Sequence, residues 1–185
     1  MSKPLPTIDD QWTLFLDRDG VINVDNIHGY IMNWEEFEFF PGVLEAIKLL
    51  SKLFPRIVLV TNQRGVGRGL MPESELLRIH SNMKSTMEEA GGRMDLMLYC
   101  KGTENSDPCR KPNPGMAFKA KEQFPEIDFS KSIMVGNTKG DMEFARNIGA
   151  FSVYIHNRED KVPKDETVDY RADSLLDLAK ALESR

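Results

Sequence analysis

Residues 13–21 read Thr-Leu-Phe-Leu-Asp-Arg-Asp-Gly-Val, a short apolar run that ends in two carboxylates and a glycine. An apolar, β-rich run of this length predicts a buried strand, with the carboxylates at its carboxyl end. Asp17 could bind a hard cation through one oxygen and attack with the other, which leaves Asp19 for proton transfer. Gly20 permits a turn that ordinary backbone angles do not allow. Taken alone, the motif is equally typical of a turn with solvated aspartates.

Similar apolar runs recur along the chain and alternate with stretches of helical periodicity. Strands are predicted at Thr13–Leu16, Arg56–Val60, Met94–Tyr99, Ser132–Val135 and Phe151–Ile155. Helices are predicted at Gly42–Lys52, Pro72–Ala90, Pro114–Phe124, Gly140–Ile148 and Ser174–Leu182. The alternation predicts a Rossmann-like α/β fold with a central, mostly parallel sheet flanked by helices. The loops after the first three strands would gather at the carboxyl edge of the sheet, where open α/β folds bind ligands.

The composition restricts the class of protein. A chain of 185 residues without a linker or repeat predicts one domain, residues 1–185. The net charge of −5 argues against a general nucleic-acid or anionic-membrane surface. No apolar run approaches the roughly 20 residues of a membrane span, and no secretory signal is evident, so a cytoplasmic protein is expected. No amphipathic repeat calls for a dimer, so a monomer is the default expectation. Cys100 and Cys109 are then expected to be free thiols.

Two later loops carry groups that suit an anion. Residues 61–69 read Thr-Asn-Gln-Arg-Gly-Val-Gly-Arg-Gly after the second strand. The hydroxyl of Thr61 and the backbone amides of this loop can stabilise phosphate oxygens, although glycine-rich loops alone are weak signals. After the third strand, Lys111 offers a compact cation to a phosphoryl group and Arg110 a planar fork to a second anion. An isolated Arg-Lys pair usually lies on a solvated surface.

The fourth strand is followed by Asn137 and Asp141, which lie four residues apart at the start of a predicted helix. Both side chains could approach a metal held by Asp17, but alone they are more typical of a helix N-cap. Taken together, four successive strand ends supply a nucleophile, a hydroxyl, a cation and a metal ligand. That combination favours a site for phosphate chemistry.

From Thr13 to Ile155 these four segments resemble the motifs of the haloacid-dehalogenase-like phosphatases. Within that superfamily, residues 15–23, 28–30 and 109–116 are similar to the D-glycero-D-manno-heptose 1,7-bisphosphate phosphatases, with histidinol-phosphate phosphatases nearest to them. The resemblance implies that Asp17 is the nucleophile, Asp19 the general acid and base, Thr61 a phosphate ligand and Lys111 the neutralising cation. No segment is long enough for a large inserted cap.

The resemblance also implies a cofactor, Mg²⁺, with Asp17 and the backbone carbonyl of Asp19 as ligands. Asn137 stands where the family has an aspartate, so Asp141 is expected to compensate for the missing charge. Relatives usually bind zinc through three cysteines and a histidine, but only Cys100 and Cys109 are present here. We therefore expect no zinc, and we expect the two cysteines to be packing residues. The candidate substrate-binding residues are Asp25, His28, Gly29, Tyr30, Asn62, Gln63, Arg64 and Arg110.

The function that the resemblance implies is that of a magnesium-dependent phosphomonoesterase, which forms an aspartyl-phosphate and removes a phosphate from D-glycero-D-manno-heptose 1,7-bisphosphate. Its expected partner is a small phosphorylated sugar, with neither nucleic acid nor membrane. Two alternatives stay open. Histidinol-phosphate hydrolysis would use the same reaction machinery, whereas a binding or regulatory protein would have kept the fold without efficient chemistry. Asn137 is the sequence argument for the second alternative.

Overall fold

A computed structural model of the chain describes residues 3–26, 28–156 and 167–185. Its described part contains one six-stranded sheet in the order β3-β2-β1-β4-β5-β6. Every neighbouring pair of strands is parallel. The strands are β1 Thr13–Leu16, β2 Arg56–Asn62, β3 Leu96–Cys100, β4 Ser132–Gly136, β5 Phe151–Ile155 and β6 Tyr170–Ala172.

Helices connect the strands and pack on the sheet. They are α1 Val43–Leu53, α2 Arg64–Gly67, α3 Glu73–Glu89, α4 Gly115–Gln123, α5 Lys139–Ile148 and α6 Leu175–Glu183. Short 3₁₀ turns lie at Trp34–Glu36 and Phe129–Lys131. Among the described residues, the loop after β1 contains no larger element, which agrees with the predicted absence of a large cap.

The sheet is covered on both faces, which explains why β1 is apolar at successive positions. Leu14 and Leu16 belong to one buried cluster, together with Leu50 of α1. Phe15 points to the opposite face and packs in a second cluster with Phe144 of α5. Side chains alternate across a strand, so a strand with helices on both faces needs apolar residues throughout.

The strand order changes direction at β1, and this positions the site. β1 lies between β2 and β4, so the chain winds outward to one side through β3 and to the other through β6. Connections that leave in opposite directions open a crevice at the carboxyl ends of the two central strands. Asp17 directly follows β1 and therefore lies at this crevice.

The five predicted strands and five predicted helices are confirmed, with shifted ends. β6 and α2 were not predicted because three or four residues are too few to show periodicity. The predicted loop Asn157–Val168 lies mostly outside the described residues. Within residues 3–26, 28–156 and 167–185, none of the helices has the length and apolar composition of a membrane span.

The prediction that the two cysteines are free thiols was wrong. Cys100 and Cys109 form a disulfide, with their Cα atoms 5.5 Å apart. Cys100 ends β3, and hydrogen bonds within the following loop, such as Arg110 N–H to the Asp107 carbonyl at 2.9 Å, turn the chain back toward it. Sequence spacing alone could not reveal this return. The sulfurs therefore link the end of β3 to the residue before Arg110.

Candidate active site

The backbone of Asp17 continues the ladder between β1 and β4, because its N–H donates to the Val135 carbonyl at 3.0 Å. The carboxylate is therefore carried by the rigid centre of the sheet. It lines a cavity of about 180 Å³. The other lining residues come from all four loops identified in the sequence and are Asp19, Asp25, Thr61, Asn62, Lys111, Asn137, Thr138 and Asp141.

Gly20 is required by the geometry of this turn. Its φ angle is 82°, a left-handed conformation that side chains other than glycine rarely adopt. A Cβ atom there would lie 1.8 Å from Nδ2 of Asn137. The glycine therefore allows the first and fourth loops to approach each other.

Lys111 lies between two carboxylates at the floor of the cavity. Its Nζ is 2.9 Å from Oδ1 of Asp17 and 2.6 Å from Oδ1 of Asp141. The Asn62 side chain holds the backbone of Lys111 at both ends, since its Oδ1 accepts from the N–H at 3.0 Å and its Nδ2 donates to the carbonyl at 3.1 Å. Asn62, predicted as a substrate contact, thus also fixes the position of the cation.

Asp141 uses both of its carboxylate oxygens within the protein. Oδ1 pairs with Lys111, while Oδ2 accepts from the Thr138 N–H at 3.0 Å and from the Thr138 hydroxyl at 2.6 Å. These bonds form a capping box at the start of α5. Asp141 therefore orients Lys111 and caps a helix, whereas its predicted contact with a metal stays a prediction.

The charges in the cavity favour a further cation. Burial, followed by the Asp141 charge, raises the pKa of Asp17 to about 7, against the opposing effect of Lys111. Burial lowers the pKa of Lys111, but Asp141 and Asp17 outweigh it, and the pKa rises. Lys111 therefore stays positive beside two carboxylates. With both carboxylates ionised the group is negative overall, so a bound cation would stabilise the ionised nucleophile.

Asn137 has a buried amide without a hydrogen-bond partner among the described residues. Only 4% of its surface is exposed, and neither Oδ1 nor Nδ2 has a hydrogen-bond partner among the described residues. Buried amides without partners are costly and rare. The Asn137 side chain lines the same cavity as Asp17. The amide of Asn137 and the carboxylate of Asp17 therefore face the same cavity.

A second cavity of about 120 Å³ adjoins the first. Asp19 and Asp25 line both cavities, and the second is otherwise formed by Asn26, Gly29, Tyr30, Ile31 and Gln63. The predicted contacts Asp25, Gly29, Tyr30 and Gln63 are thus brought together. The His28 side chain is exposed, and it lines neither of these cavities.

Arg110 lies within electrostatic range of Arg64, of Arg68 and of Tyr30 in the second cavity, but none of the three arginines lines either cavity. Nη1 of Arg68 donates to the Tyr30 hydroxyl at 3.3 Å, Nη1 of Arg110 to the Gly102 carbonyl at 3.4 Å, and Nη2 of Arg64 to the Thr103 carbonyl. Arg68 was not predicted as a site residue. Its position four residues after Arg64 in the same glycine-rich run was the available signal.

Comparison with known proteins settles the family. The family model described as polynucleotide kinase 3 phosphatase matches residues 14–171. The chain is 34% identical to the D-glycero-beta-D-manno-heptose-1,7-bisphosphate 7-phosphatase of Escherichia coli K12, covering 100% of this chain and 97% of that protein. The chain belongs to the haloacid-dehalogenase-like phosphatases.

Two further similarities place it within that superfamily. It is 40% identical to the D-glycero-alpha-D-manno-heptose-1,7-bisphosphate 7-phosphatase of Mycobacterium tuberculosis H37Rv over 76% of this chain and 74% of that protein. The D,D-heptose 1,7-bisphosphate phosphatase of B. bronchiseptica, solved with magnesium and phosphate, superposes with a TM-score of 0.84 at 28% identity. That structural match covers 94% of this chain and 98% of the other.

As a haloacid-dehalogenase-like phosphatase, the chain is a hydrolase of phosphoric monoesters, and the predicted enzyme class and fold are confirmed. The phosphatase signature is carried by Asp17, Asp19, Thr61 and Lys111, all of which line one cavity. Their individual roles stay predictions. The family membership argues against the alternative of a binding protein without efficient chemistry, for which Asn137 was the sequence argument.

Proposed function

We propose that this phosphatase removes a phosphate from a D-glycero-D-manno-heptose 1,7-bisphosphate through an aspartyl-phosphate on Asp17, with Mg²⁺ as cofactor. The observation that carries the proposal is the placement of Asp17 at the end of β1, with the Lys111 ammonium 2.9 Å away in a shared cavity. A carboxylate fixed beside a buried cation can approach an anionic phosphate with less electrostatic repulsion. The relatives' names supply the sugar.

In the proposed reaction, the Asp17 carboxylate attacks phosphorus and the bond to the sugar oxygen breaks. Burial raises the pKa of Asp19, but Arg18 and the donors of Asn23 and Gln63 outweigh it and lower the pKa. The approach of a phosphate dianion raises that pKa again, so Asp19 takes up a proton as the substrate binds and then donates it to the departing oxygen. Water then attacks the phosphorus of the aspartyl-phosphate and gives its proton to Asp19, which restores Asp17 and releases phosphate. Asp19 lines both cavities, and 30% of its side chain is exposed, so its carboxylate can reach a bound phosphate ester, which supports this role.

The residues of the first cavity fit magnesium. Asp17 offers a carboxylate oxygen, Asp19 a backbone carbonyl and Asn137 an amide oxygen without another partner among the described residues. Mg²⁺ prefers such hard oxygen ligands and keeps several waters. When bound, it would neutralise charge on the transferring phosphoryl group. Asp141 contributes by holding Lys111, since both of its oxygens are engaged.

The three arginines support recognition of a second phosphate. Burial, followed by the charges of Arg64 and Arg68 among its neighbours, lowers the pKa of Arg110. Such mutual repulsion indicates a positive region that an anion would relieve. The planar guanidinium forks suit phosphate oxygens. A cationic leaving group such as histidinol would be repelled here, so the charges favour the bisphosphate over histidinol phosphate.

The first test compares phosphate release from both anomers of heptose 1,7-bisphosphate with release from histidinol phosphate, each with magnesium. We expect the bisphosphate to be preferred by at least about tenfold in kcat/KM, since one added charge pair at a partly buried site is worth about 1.4 kcal/mol or more. Preference for histidinol phosphate would overturn the substrate. Turnover by the Asp17→Asn variant would overturn the nucleophile.

A matched pair of variants tests the arginines. Arg68→Met retains much of the side-chain length but removes the cation, whereas Arg68→Lys retains the charge and loses the fork. We expect the preference for bisphosphate over a simple monophosphate to fall about tenfold in Arg68→Met and less in Arg68→Lys. Equal losses for both substrates in Arg68→Met would contradict a second phosphate site.

A further inference from the structure

Arg18 is the largest fully buried side chain among the described residues, and it lines neither cavity. It lies between Asp17 and Asp19 in sequence, yet its guanidinium points into the protein and is 0% exposed. A buried guanidinium is strongly destabilising unless its donors are paired. The identity of its partners therefore matters.

The first partner is the Asp19 carboxylate. Nη2 of Arg18 donates to Oδ1 at 2.8 Å and to Oδ2 at 3.0 Å, and Nε donates to Oδ1 at 3.2 Å. Asn23 and Gln63 add donors to Oδ1 and Oδ2 at 3.0 Å and 2.9 Å. The carboxylate is thus held in one orientation, although 30% of the side chain is exposed to the cavities.

The second partner is His80 of α3. Nη1 of Arg18 lies 3.3 Å from Nε2 of His80, whose ring is buried. A guanidinium can only donate, so Nε2 must be an acceptor and the ring proton must be on Nδ1. Burial, followed by the Arg18 charge, lowers the pKa of His80 to about 3, which agrees with a neutral ring.

His80 is itself fixed by its surroundings. Its neighbours Leu76, Ile79 and Met83 on α3 are fully buried. The Tyr99 ring meets the imidazole edge-on, with centroids 5.8 Å apart. Helix α3 therefore holds the Nε2 lone pair of His80 against Nη1 of Arg18. The Nε and Nη2 groups of Arg18 are left to donate to Asp19.

We propose that Arg18 and His80 are positioning residues which together fix the Asp19 carboxylate at the boundary between the two cavities. The proposal rests on the proposed function, because the position of the Asp19 carboxylate affects catalysis only if Asp19 transfers the proton. His80 touches neither cavity, so it acts through Arg18. Without its acceptor, Arg18 must find another partner for Nη1, and its fork rotates away from Asp19.

The test uses leaving groups of different basicity. A sugar phosphate needs a proton on the departing oxygen, whereas p-nitrophenyl phosphate departs as a stable anion. In His80→Leu, which removes the acceptor, we expect kcat for the sugar phosphate to fall by about 10- to 100-fold. The loss with p-nitrophenyl phosphate is expected to stay within about threefold, and KM to change little.

Two other variants sharpen the result. His80→Gln supplies an amide oxygen that can accept from Arg18, and it is expected to recover most of the lost kcat. Asp19→Asn separates this proposal from the proposed function. If Asp19→Asn shows the leaving-group dependence and folded His80→Leu does not, positioning is wrong and the acid role stands. If Asp19→Asn shows no such dependence, the acid role of Asp19 fails first.

A measurement on the unaltered protein covers the case in which His80→Leu does not fold. The ¹⁵N chemical shifts of the His80 ring distinguish a lone pair at Nε2 from a protonated nitrogen. We expect the shift of an unprotonated Nε2 with the proton on Nδ1 at pH 7. A protonated Nε2 would overturn the proposed pair, since it could not accept from Arg18.

Discussion

At the residue scale, Asn137 offers a buried amide oxygen to a cation, but an amide brings no negative charge and is a weaker Mg²⁺ ligand than a carboxylate. Its amide is buried and lacks a hydrogen-bond partner within the described residues. In Asn137→Asp we expect Mg²⁺ to bind about tenfold more tightly, because one more negative oxygen would face the cation. Calorimetric titration with Mg²⁺ measures this, with Asn137→Ala as the weaker-binding control. Equal affinity in Asn137→Asp would exclude this side chain as a ligand.

The buried, neutral His80 is expected to lower the free energy of unfolding at acid pH. Its pKa is lowered from 6.5 to about 3 in the folded protein, so below pH 6.5 the unfolded chain binds a proton that the folded one does not. Stability from this group is therefore complete above pH 6.5 and is lost as the pH falls toward 3. Relative to His80→Gln, we expect the wild type to lose about 2 kcal/mol between pH 7 and pH 5. Urea unfolding at both pH values checks this, and parallel curves would contradict a neutral buried ring.

At the scale of elements, the disulfide closes the loop that holds Arg64 and Arg110 but not the side chain of Lys111. Lys111 is held by Asn62 and Asp141, whereas Arg64 and Arg110 donate to carbonyls of residues 102–103, between the cysteines. Reduction by a dithiol is therefore expected to raise KM for the bisphosphate by about fivefold and to change kcat little. Steady-state rates before and after reduction measure this.

The matched control for that experiment replaces both sulfurs, as Cys100→Ser with Cys109→Ser. Its KM is expected to resemble that of the reduced enzyme and to be insensitive to the dithiol. If reduction instead lowers kcat and leaves KM unchanged, the loop supports Lys111 and not the arginines.

For the whole molecule, the sequence predicted those features that repeat or that sit at strand ends. Buried strands gave apolar runs, and the four strand ends gave residues that meet in one cavity. Contacts between distant segments left no such signal. The return of Cys109 to Cys100 and the pairing of Arg18 with His80 across 62 positions depend on the packing of α3 and the third loop, which local pattern does not encode. β6 was missed because its three residues gain their stability from β5.

The far end of the sheet depends on one buried carboxylate that links four parts of the chain. Asp169, 2% exposed, pairs with Lys3 at 2.6 Å and Arg146 at 2.9 Å, and its Oδ2 accepts from the Ser152 N–H at 3.0 Å. It thereby joins the N-terminal segment, α5 and β5 at the start of β6. The side chains of Lys3 and Arg146 are 60% and 35% exposed, whereas the bond from the Ser152 N–H is buried, so Asp169→Asn is expected to cost about 1–2 kcal/mol at pH 7.

The pH dependence of the stability lost in Asp169→Asn shows whether Asp169 stabilises the fold through its charge or through its packing. Burial raises the pKa of Asp169, but its bonds to Lys3, Ser152 and Arg146 outweigh this effect and hold the pKa below the ordinary value of 3.8. The stabilisation is therefore complete above pH 3.8 and is lost as the pH falls through the lower, folded pKa. Urea unfolding at pH 7 and near pH 3 should show the gap between wild type and Asp169→Asn narrowing in acid. A gap that stays constant would mean that Asp169 acts through shape and neutral hydrogen bonds, and that the ion pairs with Lys3 and Arg146 contribute little to closing this edge of the molecule.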